Sequence, residues 1–181
     1  STEDHLVFDV EVINESDKEI LVSPEAFYYR CKNQYGTSLG QHGYAINPEE
    51  KLLQIDKQIS AQNAREANQA VLSVLTTTAD AANMIASLDE DRETRNRAME
   101  NAAVNQFHRE DMRRKTHSRA VSLREKREYW SFNVLRKTTL NPGFYIGGKV
   151  YFPRNDRAGT FTFILPINNE TYVFSYQQKL K

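Results

Sequence analysis

The sequence predicts an α+β chain in which an antiparallel β-sandwich is interrupted by an inserted antiparallel helical hairpin. Three observations predict it. All twelve Gly and Pro residues lie outside the 93-residue span from Glu49 to Asn141, which leaves that span free to form long uninterrupted helix. Both flanking regions alternate apolar and polar residues with period two, the signature of half-buried strands. Neither flank is large enough to bury a core alone, so the two must meet and the middle must leave and return.

The first strand is the run Leu6, Phe8, Val10 and Val12, with Asp9 and Glu11 on the opposite face. The polar stretch Asn14, Glu15, Ser16, Asp17 turns the chain, and Ile20 and Val22 alternate again before Pro24 ends the segment. Phe27, Tyr29 and Cys31 against Tyr28 and Arg30 make a third strand, closed by the turn Asn33 to Gly36. After the insertion, Thr138 to Leu140 lead into Asn141, Pro142, Gly143, a Pro-Gly pair suited to the middle of a type II turn. Tyr145 to Phe152, Thr160 to Leu165 and Tyr172 to Tyr176 follow, the last two as a hairpin. The total is about seven strands, the number of an immunoglobulin-like sandwich.

A single straight helix over the central span would run about 140 Å and carry the two flanks apart. Two antiparallel arms of roughly 40 residues, each about 60 Å long, bring them together. Pro48 with Glu49 and Glu50 starts the first arm. Ser87, Leu88, Asp89, Glu90 matches a capping box and places the reversal at mid-span, with Ser87 accepting from the next helix and Glu90 reaching back. The expected boundaries are therefore 1–47 with 137–181 for the sandwich and 48–136 for the hairpin. The expected seam is Leu52, Ile55, Ile59, Ala67, Val71, Val74, Ala81, Ile85 and Leu88 on the first arm. On the second it is Met99, Ala103, Phe107, Leu123 and Trp130, with a bend or fray between His108 and Arg119, where Met112 is the one sizeable apolar residue.

Charge is balanced at 24 basic and 24 acidic residues, so no global field steers the chain to an ionic partner. It is unevenly spread: residues 1–48 carry a net of −5 and residues 92–127 a net of +6, nine of whose eleven bases are arginine. Unbroken apolar runs such as Ala70 to Leu72 and Phe163 to Leu165 fall far short of the roughly 20 residues a bilayer demands, which excludes a membrane span on that criterion. Cys31 is the one cysteine and reads as a small buried hydrophobe without an adjacent base. The chain opens on Ser1 and not methionine, which suggests that a targeting segment or tag has been removed.

No residue set converges on catalysis. His108 and Asp111 share a helix face but lack further metal ligands, so no metal or cofactor is expected. Gly143, Gly147 and Gly148 precede another strand and not a helix, so they read as a turn and a bulge and not as a phosphate loop. The suggestive surface is basic: Arg109, Arg113, Arg114, Lys115, Arg119 and Arg124, continued by Lys126 and Arg127. Such a helix could grip lipid or nucleic-acid phosphate. Net neutrality, and the absence of any aromatic between Phe107 and Tyr129 to stack on bases, weigh against nucleic acid. An acidic protein or a second copy fits at least as well.

The flanks resemble the immunoglobulin-like domains of small exported bacterial lipoproteins. The shared features are Val10 to Ile13 ending in Asn14, the turn to Lys18, Ile20 to Pro24, and Phe27. They return as Thr139, Leu140, Asn141, Pro142, Gly143 and then Gly148, Val150, Tyr151, Phe152. The resemblance implies a two-sheet sandwich, a lipid-anchored or secreted protein of the cell envelope, and no enzymatic site. The expected function is a non-catalytic binding or structural module whose helical hairpin is the interaction surface, with anion binding by the arginine-rich helix as the alternative.

Overall fold

The computed structural model describes residues 4–89 and 91–178. The chain is α+β, and the described residues form two long helices and eight strands in antiparallel sheets without a closed barrel. The strands are β1 His5–Ile13, β2 Ile20–Val22, β3 Tyr28–Lys32, β4 Ser38–Tyr44, β5 Thr138–Leu140, β6 Tyr145–Pro153, β7 Thr160–Ile167 and β8 Glu170–Gln177. Helix α1 spans Pro48–Ala86 and α2 spans Arg92–Phe132. Two compact units result, one from Ser1–Leu53 with Glu128–Lys181 and one from Gln54–Arg127.

In the first unit β1 pairs with β6, β2 with β5, and β4-β3-β7-β8 form a four-stranded sheet. Every pairing except the hairpins β3–β4 and β7–β8 joins residues from opposite sides of the helical span. The core follows the period-two pattern: Phe27, Tyr29 and Cys31 point in with Phe161, Phe163 and Leu165, and Val12, Val150 and Phe152 join them. Eight strands replace the seven expected because β4 escaped notice. Its sequence, Ser-Leu-Gly-Gln-His-Gly-Tyr, has two glycines and no apolar alternation, and only Gly43 is buried.

Asn14 ties the two flanks together. Its Nδ2 donates to the carbonyls of Lys18 at 2.8 Å and Leu140 at 2.9 Å, and its Oδ1 accepts from the Ser16 amide and hydroxyl. Its backbone also donates to Phe144 and accepts from Gly143. The Asn141–Phe144 turn closes with the Phe144 amide on the Asn141 carbonyl, and Gly143 has φ +77°, as a type II turn requires. The expected bulge at Gly147 and Gly148 is absent, because both lie in the unbroken β1–β6 ladder opposite Glu11 and Val10. Gly148 answers to a close approach: a Cβ there would stand 2.5 Å from the Leu135 amide nitrogen.

Helix α1 starts where expected. Asn47 caps it, its side-chain oxygen accepting from the Glu49 amide at 3.0 Å, and Pro48 takes the first position, where a missing N–H costs nothing. Helix α1 ends at Ala86 and α2 begins at Arg92, and the cap between them differs from the expected one. Ser87 lies in a short 3-10 turn and its hydroxyl donates to the Met84 carbonyl, while Asp91 caps α2 through the Thr94 amide at 2.8 Å. Glu90, the other half of the expected capping box, lies outside the described residues. Helix α2 runs unbroken through His108–Arg119, against the expected bend or fray.

Removing the Asn14 side chain takes a donor from the buried Leu140 carbonyl and from the Lys18 carbonyl, which keeps the Ser16 hydroxyl at 3.0 Å. Asn14→Ala is expected to cost about 1 to 3 kcal/mol, read as a lowered denaturant midpoint at unchanged slope.

Candidate functional site

The helical unit, Gln54–Arg127, reverses the usual distribution of polarity. Its helices meet through polar side chains. Arg127 pairs with Asp56 at 2.6 Å, Gln62 donates to the Thr116 carbonyl at 3.2 Å, and the Thr116 hydroxyl donates to Gln69. Arg109 pairs with Asp80 at 2.8 Å and Asn105 donates to the same carboxylate at 3.0 Å. Residues early in α1 thus meet residues late in α2. The inward stripe of α1 is Ile55, Ile59, Gln62, Glu66, Gln69, Ser73 and Asp80, and that of α2 is Ala98, Ala102, Arg109, Thr116, Ala120 and Leu123. Of the expected seam, Ile55, Ile59 and Leu123 keep this role. Ala67, Val71, Val74, Ala81 and Ile85 on α1, Leu88 in the 3-10 turn after it, and Met99, Ala103 and Phe107 on α2, are exposed instead.

The seam moved because α1 carries two periodic stripes about a third of a turn apart, and the apolar one faces out. Val71, Val74, Leu75, Ile85 and Leu88 are each 60 to 69% exposed. With Thr78 and Ala81 they follow the alternating three-four spacing of a packing surface. The exclusion of a membrane span also changes. Between Pro48 and Asp89 an 18-residue window reaches a mean hydropathy of 1.3 with at most two charges, since Ala, Ser and Thr interrupt the apolar runs without adding charge. By length and composition alone this helix could cross a bilayer.

The six basic residues singled out do not form one patch. Arg109 and Arg113 line a groove of about 450 Å³ beside Glu66, Leu72 and His117. Arg119 lines a different groove of about 360 Å³ with Arg65 and Lys126, among neutral neighbours such as Gln58 and Ser122. Six residues of helix turn a side chain through about 240°, which puts Arg113 and Arg119 on opposite flanks of the α1 contact. Arg114, Lys115 and Arg124 line neither groove, and Lys115 pairs with Asp111 at 2.7 Å. Arg65 was missed because it stands on α1, outside the basic run, and only the pairing of the helices brings it beside Arg119.

In the first unit, Trp130 stacks on Tyr151 at 5.1 Å between centroids, with Lys51 Nζ 6.0 Å from the indole ring. Arg136 grips both oxygens of Glu49 at 2.8 Å, which lowers the Glu49 carboxyl and raises the guanidinium. Burial and the Tyr129 hydroxyl raise the Tyr151 phenol, and burial raises the Cys31 thiol. His108 and Asp111 gain no further ligands: no group of three or more His, Cys, Asp or Glu able to hold a metal occurs among the described residues.

No family model matches the chain, and no curated protein or solved structure is significantly similar to it.

Hydrogen bonds from Arg109 and then Asn105 hold the Asp80 carboxyl below its ordinary value of 3.8. A depressed folded-state value means the stabilisation is complete above 3.8 and fades as pH falls through the lower folded value. Helicity followed by circular dichroism is therefore expected to decline below about pH 4, and Asp80→Asn should remove part of that decline.

Proposed function

We propose that the chain is a non-catalytic binding or structural module of an exported cell-envelope protein, an immunoglobulin-like sandwich carrying an antiparallel helical hairpin. The hairpin is the working surface, and its outward α1 stripe takes the same stripe of a second copy. The exposed apolar stripe carries this reading. Covering five aliphatic side chains at such exposure yields about 5 to 9 kcal/mol per copy, set against an association cost of about 4 to 15 kcal/mol. Two apolar stripes together meet more of that cost than one stripe against a polar surface.

The stripe is self-complementary. Antiparallel pairing about Thr78 sets Val71 against Ile85 of the other copy and Val74 and Leu75 against the small Ala82 and Ala81. Lipid is the weaker occupant, because α2 is bound to α1 through the Asp80–Arg109 pair and would bring its charges with it. The perturbed titratable groups support a non-catalytic role, since ion pairing, capping or burial accounts for Glu49, Asp80, Asp91 and Cys31. The envelope location and lipid anchor rest on the resemblance of Asn14 and the Asn141–Gly143 turn to those exported domains. Sedimentation should show a concentration-dependent dimer that the pair Val74→Glu with Ile85→Glu converts to a helical monomer. A wild-type chain monomeric at high micromolar concentration would sink the self-association.

The groove of Arg65, Arg119 and Lys126 favours a second reading, anion binding by the helical unit. No acid lines it. Its signature is retention on anionic-lipid vesicles or a phosphate polymer that weakens steeply with salt, and loses about one unit of salt slope with Arg119→Glu. Salt-insensitive binding, or none, removes it.

A further inference from the structure

Among the described residues, the inner face of strand β8 is only partly covered. Tyr172, Phe174 and Tyr176 stand opposite Leu165, Phe163 and Phe161 in the β7–β8 register, so they share the face those buried residues turn to the core. Yet they are 46, 58 and 47% exposed. The layer opposite ends at β1, whose Phe8 reaches Phe163 at 4.7 Å and Tyr176 at 6.0 Å between centroids. Beyond it lies a groove of about 480 Å³ lined by Phe8, Val10, Phe163, Tyr172, Phe174 and Tyr176.

The edge of β1 beside this groove is open. Among the described residues β1 pairs with β6 and no other strand. The Arg154 amide donates to the Asp4 carbonyl at 3.1 Å and the Asn14 amide to the Phe144 carbonyl at 2.9 Å, one at each end of the ladder. Backbone direction alternates along an antiparallel strand, so even-numbered residues of β1 address β6. Val7, Asp9 and Glu11 then turn their N–H and C=O groups to the open side. The register is unbroken, and no proline, lysine or bulge guards the edge.

We propose that the slot between β1 and β8 accepts an extended strand of a partner polypeptide with apolar residues at alternate positions and basic residues between them. Its backbone pairs with Val7, Asp9 and Glu11, and its apolar side chains cover Tyr172, Phe174 and Tyr176. Charge selects the intervening residues. On the outer face of β1, Asp9 is paired with Lys149 at 2.7 Å, whereas Glu11 faces Gly147 across the ladder and makes no ion pair among the described residues. A lysine or arginine of the incoming strand lies beside Glu11. The same charge disfavours a second copy: β1 against β1 would set Asp9 and Glu11 near their own kind, and β8 brings no cation.

The test is titration of the isotope-labelled chain with two synthetic heptapeptides of equal composition, one alternating lysine and valine and one with its valines in a block. The alternating peptide should shift the amides of Val7, Asp9 and Glu11 and slow their hydrogen exchange, and the blocked peptide should not. Phe174→Lys should weaken binding at least about tenfold, and Glu11→Lys should transfer the preference to a peptide alternating glutamate and valine. Tyr172→Ser serves as a milder variant, and amides remote from the slot report whether each variant is folded. Equal binding of both peptides, binding of neither, or protection at Val173 and Ser175 on the free edge of β8 overturns the proposal. Protection of the β1 amides by raised protein concentration alone overturns it in favour of a second copy.

Discussion

Asn14 is the joint on which the β unit depends. The flanks are separated in sequence by the whole helical span, so their contacts carry a large closure cost that local hairpins avoid. Asn14 meets that cost at one buried point: two donors hold carbonyls from both flanks, and its backbone completes the exchange with Gly143 and Phe144. The β1–β6 ladder then runs unbroken from Ile13 and Tyr145 to His5 and Pro153. A buried amide with all its valences used specifies geometry better than an apolar residue, because any other register leaves polar atoms unpaired.

The helical unit solves a different problem. Two helices of about 40 residues need a contact along their length, yet the one between α1 and α2 is assembled from Gln62, Gln69, Asp80, Arg109 and Thr116. Polar pairs fix register well and contribute modest stability, and alanines at 98, 102 and 120 permit close approach. The larger apolar area is left on the outside. That arrangement is what supports the proposed pairing of the α1 stripe with a second copy.

Much of this was legible in sequence, and the failures share a cause. Period two located β1, β3, β6, β7 and β8, and the Asn-Pro-Gly turn and the helix start at Pro48 followed from local backbone rules. Strand β4 was missed because its partners, and not its own residues, make it a strand. The capping box misled since Ser87 and Asp91 are both plausible caps, and which one begins a helix depends on where α1 stops. The seam was misassigned because hydrophobicity was taken to mark the inner face; the heptad at Val71, Val74, Thr78, Ala81 and Ile85 was real, but its partner is not α2. The basic run looked like one surface only while its residues were read along the chain and not around the helix.

The two units differ in build and agree in what they leave unsatisfied. Eight ion pairs form among the described residues, Glu49 with Arg136, Asp80 with Arg109 and Asp9 with Lys149 among them. Among the described residues the α1 stripe, the inner face of β8 and the edge of β1 all stop short of cover. That uncovered hydrophobic area and free strand edge support the two proposals, since they are resources from which polypeptides bind other polypeptides.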